Sequence, residues 1–178
     1  MARFSTRLPT RRKLISIAVA LIVAAGSALY SQLTAQPADA GLTGIASVID
    51  GDTIDIHGQR IRFHGIDAPE SRQTCERNGK PWRCGQQAAL ALSDYLGQKS
   101  VRCEKKDVDR YKRIVAICYV GTTDVNAWLV REGWALAYRQ YSKDYVAIEE
   151  AARRQKVGIW QGEVQAPWEW RRKPKKQS

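Results

Sequence analysis

Short β-strand patterns separated by turn signals are the feature that most restricts the fold of this chain. They cover residues 44–56, with a turn at residues 50–52, and residues 60–66, 100–104 and 114–120. In the second of them apolar and polar side chains alternate, which is typical of a strand with one buried face. Pro69 follows soon afterwards and cannot donate to a strand ladder. Because the strands are short and closely spaced, they predict a small β-barrel with helices packed on it.

Three helical patterns accompany the strands, and a glycine ends each of them. They cover residues 86–96, 125–132 and 145–156, and the glycines are Gly97, Gly133 and Gly158. The segment before the first helix, residues 71–85, contains Asn78-Gly79 and Pro81 and is predicted to be a polar loop. Residues 171–176 are predicted to form a basic, solvated tail.

The first 40 residues have the composition of a targeting segment. A basic stretch ends at residue 13, and residues 14–30 carry no charge and are mostly alanine, isoleucine, leucine and valine. Ala38-Asp39-Ala40 offers small residues at the two positions that a signal peptidase reads, which would make Gly41 the mature N-terminus. The spacer before that site is long, so an uncleaved membrane anchor stays open as the alternative. We therefore predict an exported protein, periplasmic or secreted, with membrane contact through residues 14–30 if the leader is retained.

Four cysteines, all beyond the leader, indicate disulfide bonds. An even number of cysteines in an exported chain is typical of a disulfide framework. Sequence alone permits three pairings, and local geometry favours Cys75–Cys84 and Cys103–Cys118. The first bridge would staple the polar loop, and the second would join two strands that fold back on each other. A zinc site is the weaker interpretation, because the chain has no C-x-x-C pattern and only two histidines.

The net charge of +11, from 29 basic and 18 acidic residues, favours polyanionic partners. Without the first 40 residues 24 basic and 17 acidic residues remain, so the predicted domain itself is basic. Nucleic acid, anionic lipid and other acidic polymers all satisfy this condition, and charge alone does not choose among them. The composition, 44% hydrophobic and 26% charged, is that of a globular protein rather than a disordered one.

Three carboxylates lie at predicted strand ends. Asp52 follows the first turn, and Asp67 and Glu70 follow the strand that carries Arg62. If these strands are neighbours, the carboxylates converge and repel one another unless a cation offsets their charge. A hard divalent ion with oxygen ligands does so, and calcium tolerates an irregular site. Each segment alone also has an ordinary explanation as a turn, a strand end or a charged hairpin tip.

The order of these segments along the chain is more specific than any one of them. The motifs are Val48 to Thr53, Arg62 with Gly65 to Glu70, Asp109 to Arg113, Asn126 to Ala135 and Gly158 to Trp160. In this order they resemble the staphylococcal, or micrococcal, nuclease family of thermonucleases over roughly residues 44–160. The resemblance implies an α+β, mainly β fold at residues 41–163, an OB-fold five-stranded barrel with three packed α-helices, followed by a basic C-terminal tail at 164–178.

The resemblance also implies calcium-dependent hydrolysis of phosphodiester bonds in DNA and RNA with little sequence specificity. Asp52, Asp67 and the backbone carbonyl of Ala68 would bind the calcium ion. The family often has threonine at the position of Ala68, but its ligand there is the backbone. Glu70 would position or deprotonate the attacking water, as its place three residues beyond Asp67 allows.

Substrate contacts follow from the same resemblance. Arg62 and Arg113 would bind the scissile phosphate, because a guanidinium group matches phosphate oxygens in a bidentate geometry. Tyr111 and Tyr138 would contact the phosphate and pack against the substrate. One departure is Lys112, where the family usually has glycine, so the backbone of this loop is expected to differ.

Two other functions stay open. The same fold could bind nucleic acid without cleaving it, although degenerate domains of this kind usually lose acids or arginines that this chain retains. An envelope protein anchored by residues 14–30 could instead use the fold for protein contacts. The Cys75–Cys84 segment is extra relative to the family archetype, and its basic tip would either grip nucleic acid or form a solvated flap. We expect a monomer.

Overall fold

A computed structural model describes residues 42–172. The predicted leader at residues 1–40 and the last part of the predicted tail lie outside the described residues. No helix within residues 42–172 is long and apolar enough to cross a membrane. The strands are β1 Thr43–Ile45, β2 Ser47–Asp50, β3 Thr53–Ile56, β4 Gln59–Phe63, β5 Ile66–Asp67, β6 Cys75–Arg77, β7 Lys80–Trp82, β8 Ser100–Val108, β9 Ile114–Val120, β10 Thr123–Asp124 and β11 Leu136–Ala137. The helices are α1 Cys84–Leu96, α2 Val125–Arg131, α3 Val146–Gln155 and α4 Pro167–Trp170, with a 3₁₀ turn at Gly158–Gln161.

The main sheet curls into a barrel because its two edges are consecutive parts of the chain. Its strand order is β1–β8–β9–β4–β3–β2, and only Ala46 separates β1 from β2. Taken as one bent strand, β1 and β2 make five strands with β3, β4, β8 and β9. Neighbours are antiparallel except for β4 and β9, which run parallel. The expected mainly β barrel with packed helices is confirmed.

The interior of the barrel is apolar. Ile54 on β3 lies opposite Ile61 on β4, and both are fully buried. Leu92 of α1 and Leu129 of α2 pack against the same cluster. Complete burial of an aliphatic side chain stabilises a fold by about 1.5–3 kcal/mol, so these contacts fix the two helices on the sheet. The strands that carry the polar site residues are thereby held on a rigid frame.

Both disulfides of the favoured pairing are present. Cys103 and Cys118 lie directly opposite each other on β8 and β9, and their sulfur atoms are 2.03 Å apart. Cys75 and Cys84 are joined across nine residues, between β6 and the first residue of α1. Among the described residues no cysteine is free.

The segment predicted as a polar loop contains regular structure. β6 and β7 form a two-stranded antiparallel hairpin, with Asn78 and Gly79 at its tip in the left-handed backbone conformation. The loop prediction was therefore wrong for residues 75–82. The pattern misled because the hairpin buries few side chains of its own. Its base packs instead on a second apolar cluster that includes Leu136 and Ile159.

The chain beyond the 3₁₀ turn returns to the body of the protein. Pro167 is buried at the start of α4, and the ring of Trp168 stacks on that of Tyr138 at a centroid distance of 5.2 Å. Arg171 forms ion pairs with Asp67 and Glu70. The prediction of a solvated tail was wrong for Arg171, because acidic partners far away in the sequence bind it.

Candidate active site

The turn between β2 and β3 places Asp52 against the strand that carries Asp67. The Asp50 carboxylate accepts a hydrogen bond from the Asp52 amide at 3.0 Å and closes the turn. The Ala68 amide donates to Asp52 Oδ2, also at 3.0 Å. A side chain at Gly51 would meet the Ala68 methyl group, since its Cβ would lie 2.7 Å away. Glycine at this position therefore allows the two segments to touch.

Arg62 joins the two buried carboxylates. It lies on β4 opposite Thr53, and Thr53 follows Asp52 directly in the chain. Its Nη1 donates to Asp52 Oδ1 at 2.7 Å and its Nη2 to Asp67 Oδ1 at 2.6 Å. The planar fork of a guanidinium group suits this bridging arrangement, which a lysine could not reproduce.

Burial makes these carboxylates dependent on a cation. The side chain of Asp52 is 5% exposed and that of Asp67 is fully buried. Burial raises the pKa of Asp52 to about 6, against the opposing effect of Arg62, and it also raises the pKa of Asp67. The low-dielectric surroundings disfavour the charged form of both groups, so an adjacent positive charge is needed to keep them ionised.

Glu70 lies at the open side of this pair. The buried Gln73 holds the Glu70 backbone through two hydrogen bonds. The Gln73 side-chain oxygen accepts from the Glu70 backbone N–H at 3.1 Å, and the Gln73 backbone N–H donates to the Glu70 carbonyl at 2.7 Å. The Glu70 side chain is 40% exposed and pairs with Arg171 at 2.6 Å. Arg171 also reaches Asp67 at 2.8 Å and so connects the two acids.

The loop between β8 and β9 presents Arg113 to the same cleft. Asp109 organises the loop by accepting hydrogen bonds from the amides of Tyr111 and Arg113 and from the Arg113 side chain, the last at 2.7 Å. Partial burial by itself would raise the pKa of Asp109, but the hydrogen bonds have the larger combined effect and lower it below its ordinary value. Lys112 has a φ of +63°, so lysine here keeps the left-handed conformation that glycine favours.

An open cleft of about 990 Å³ brings the predicted residues together. Its walls include Asp52, Ala68 and Glu70 with Arg62 and Arg113, and also Tyr111, Tyr138 and Arg171. Tyr111 is 68% exposed, and Tyr138 packs edge-on against Tyr141 at a centroid distance of 4.8 Å. Asp67 lies behind this surface, fully buried. These three arginines, two tyrosines and the exposed acid thus face one volume that could hold a chain of phosphates and bases.

Comparison with known proteins gives the family of this chain. Residues 60–162 match the family described as "Staphylococcal nuclease homologue". The chain belongs to the staphylococcal nuclease family. The micrococcal nuclease of Shigella flexneri is 37% identical over 158 residues, which cover 78% of this chain and 86% of that protein. An uncharacterized endonuclease of Haemophilus influenzae is 32% identical over 155 residues, 83% of this chain and 82% of the relative.

The relatives also include a protein with a different description. The succinoglycan biosynthesis protein ExoI of Rhizobium meliloti is 38% identical over 144 residues, which cover 78% of this chain and 75% of that protein. The family match and the relatives described as nucleases support the same activity. This chain is therefore a nuclease, a hydrolase of phosphodiester bonds.

The donor set of the nuclease site is suitable for a hard divalent cation. Asp52 and Asp67 offer carboxylate oxygens, the ligands that calcium prefers. Among residues 42–172, no three histidine, cysteine, aspartate or glutamate side chains converge as a ready metal site. Backbone oxygen and water would have to complete the shell. A metal ion at these carboxylates would also require Arg62 and Arg171 to release some of the oxygens that they now bind.

The sequence predicted no role for Arg171, which lines the cleft, or for Trp168, which stacks on the cleft residue Tyr138. Arg171 and Trp168 both lie beyond residue 162, where the family match ends. The only local signal was the Pro167-Trp168-Glu169-Trp170 cluster, because two tryptophans beside a proline are unusual in a solvated tail.

Gly85→Ala is expected to displace the backbone of Glu70, which Gly85 contacts closely. A Cβ at Gly85 would lie 1.7 Å from the Glu70 carbonyl oxygen, so the backbone there must move. We expect a loss of about 1–3 kcal/mol in unfolding free energy, measured by urea denaturation, together with reduced nuclease activity. Gln86→Ala is the matched control, because Gln86 is the next helical residue and is exposed. Equal effects of the two substitutions would contradict the steric argument.

Proposed function

We propose that this nuclease hydrolyses both DNA and RNA with little sequence specificity and depends on calcium. The observation that carries the proposal is the bridge from Arg62 to two buried carboxylates at the floor of an open cleft. Burying two carboxylates and a guanidinium group costs desolvation free energy. Hydrolysis of a phosphodiester with the help of a divalent cation would give a role to both the acids and the arginine. The similarity to micrococcal nuclease supports the same conclusion.

Calcium would be held by Asp52, Asp67 and the Ala68 carbonyl. When bound, the ion supplies polarisation of a phosphoryl oxygen and lowers the pKa of a bound water. Placing the cation at these acids would also free the Arg62 guanidinium to face the substrate.

The remaining groups of the cleft provide acid–base chemistry and charge stabilisation. Glu70 is exposed enough to hold a water molecule and to accept its proton as that water attacks phosphorus. Arg62 and Arg113 stabilise the negative charge that grows on the phosphoryl oxygens. Asp109 fixes the direction of the Arg113 side chain, so the guanidinium group need not be ordered during the reaction.

Tyr111 and Tyr138 provide substrate contacts that do not depend on base identity. An aromatic ring can stack on any base or sugar, and phosphate contacts read no sequence. These features favour low sequence specificity. They also favour action on single-stranded regions, whose bases are free to stack on exposed rings.

Export is the second part of the proposal. Two disulfides are consistent with an extracytoplasmic location, where thiols are oxidised. The predicted leader lies outside the described residues, and either a signal peptide or an anchor agrees with the folded domain. Cell fractionation with N-terminal sequencing of the mature protein tests the two alternatives: Gly41 at the N-terminus supports cleavage, whereas Met1 or Ala2 in the membrane fraction supports an anchor.

A digestion assay tests the proposed activity. The purified protein is incubated with single-stranded DNA and with RNA, each in two unrelated sequences, in calcium or in EDTA. We expect all four substrates to be cleaved in calcium and none in EDTA. Intact substrates in calcium would contradict the proposed activity, cleavage in EDTA would contradict the calcium requirement, and cleavage of one sequence alone would contradict the low specificity.

A further inference from the structure

Arg171 binds two acids of the candidate active site and lies beyond residue 162, where the family match ends. Its Nη2 is 2.8 Å from Asp67 Oδ2, and its Nη1 is 3.1 Å from Asp67 Oδ1 and 2.6 Å from Glu70 Oε1. Both oxygens of the fully buried Asp67 are therefore contacted by this one guanidinium group. More than 100 residues separate Arg171 from either acid along the chain, so the contact depends on how the C-terminal segment, defined here as residues 164–172, folds back.

Separate contacts hold the C-terminal segment in this position. The buried Gln73, which also positions Glu70, donates its side-chain amide to the Gln165 carbonyl at 2.7 Å. Trp168 stacks on Tyr138 with an angle of 6° between the ring planes. The segment is thus attached to the rest of the protein at three points. At two of them its partners are residues that line the cleft. Its path is fixed by packing as well as by the ion pairs of Arg171.

We propose that Arg171 is a positioning residue that competes with the divalent cation for Asp67 and Glu70. The C-terminal segment would then set the calcium concentration at which the nuclease site is assembled. This inference rests on the proposed function, because it assumes that Asp67 is a calcium ligand.

Electrostatics gives the direction of the effect. Arg171 contacts both oxygens of Asp67, and Arg62 already shares Oδ1. A divalent cation that binds the same oxygens therefore competes with guanidinium groups for their lone pairs and must weaken or displace part of the Arg171 contact. The arginine side chain is 38% exposed, which leaves it room to move into the cleft. Its positive charge also repels a nearby cation. Both effects weaken calcium binding, while the same contacts keep the two acids in place.

Calorimetric titration of calcium into the full protein tests the inference without measuring cleavage. We expect Arg171→Gln to bind calcium about tenfold more tightly than the unsubstituted protein, as expected when one positive charge about 5 Å from a doubly charged ion is removed in a water-like medium. Arg172→Gln is the matched control, because it removes the same charge from the next residue. Arg172 is exposed and forms none of the ion pairs found within residues 42–172. Its substitution is expected to change the affinity by less than about twofold, since solvent screens an exposed charge that pairs with neither acid.

Arg171→Lys separates the contact from the charge. Lysine keeps the positive charge but loses the fork that spans two acids, so an affinity between those of the unsubstituted protein and Arg171→Gln is expected. Equal affinities of Arg171→Gln and Arg172→Gln would overturn the inference, even if both variants still cleaved DNA in calcium. Weaker binding by Arg171→Gln, with an unchanged melting temperature, would also overturn it. If none of the proteins bound calcium, the inference and the calcium part of the proposed function would both fail.

Discussion

Glu70→Gln is expected to lower kcat by about 10²- to 10⁴-fold, the usual contribution of a general base. Glutamine has the same shape as glutamate and can still hold a water molecule, but it cannot accept the proton of that water. Binding of the nucleic acid should change little, because the phosphate contacts are proposed to belong to Arg62 and Arg113. Single-turnover cleavage and a separate binding measurement in EDTA would distinguish the two effects.

Stability should hardly change in this variant. The Glu70–Arg171 pair is exposed, with side-chain exposures of 40% and 38%, and such pairs contribute at most about 1 kcal/mol. Glu150→Gln, at an exposed position of α3, is the matched control and should retain full activity. A Glu70→Gln protein that cleaved at the normal rate would remove Glu70 from the chemistry and leave Asp52 and Asp67 as the remaining acids of the site.

The part of the site that the sequence could predict is local or follows the strand pattern. Asp52 was expected after a turn, and the turn is closed by Asp50. The alternation around Arg62 predicted a strand, and its antiparallel pairing with β3 brings Arg62 to Asp52. These features depend on neighbours a few residues apart, so a short window of sequence contains the physical cause.

The features that could not be predicted depend on contacts between distant segments. The parallel pairing of β4 with β9 has no local signal, although it carries the strand before Asp67 toward the Arg113 loop. The contact between Arg171 and Asp67 joins residues 104 positions apart in the chain. A basic tail in the sequence gives no indication of whether water or a buried acid will neutralise it. The path of the C-terminal segment therefore does not follow from a local pattern, and the family match ends before it.

Lys112 adopts a left-handed backbone conformation although it carries a side chain. Its φ of +63° is one that glycine adopts more readily. The expectation that this loop differs from the usual glycine-containing loop stays a prediction. For a residue with a Cβ, this conformation costs roughly 1–2 kcal/mol. The hydrogen bonds that Asp109 accepts from Tyr111 and Arg113 offset this strain. The bonds between Asp109 and Arg113 also hold the arginine side chain in its direction.

Arg62→Met is expected to destabilise the domain by about 3–5 kcal/mol, in addition to abolishing activity. The substitution keeps much of the side-chain volume but removes the only cation that contacts Asp52 among the described residues. Asp67 would keep Arg171, whereas Asp52 would be left with hydrogen bonds from Thr53 and the Ala68 amide. A buried carboxylate without a cation is far more costly than a missing surface pair. Urea denaturation monitored by tryptophan fluorescence measures the change.

Arg60→Met gives the comparison that isolates this cause. Arg60 lies two residues before Arg62 on the same strand and therefore on the same face, but it is exposed. Its replacement should change the unfolding free energy by no more than about 0.5 kcal/mol, as at most surface positions. If Arg62→Met lost activity but unfolded like Arg60→Met, the bridge would not stabilise the fold, and the role of Arg62 would be confined to the substrate. If both properties were lost, the same guanidinium group would hold the carboxylates together in the folded protein and serve the phosphate during the reaction.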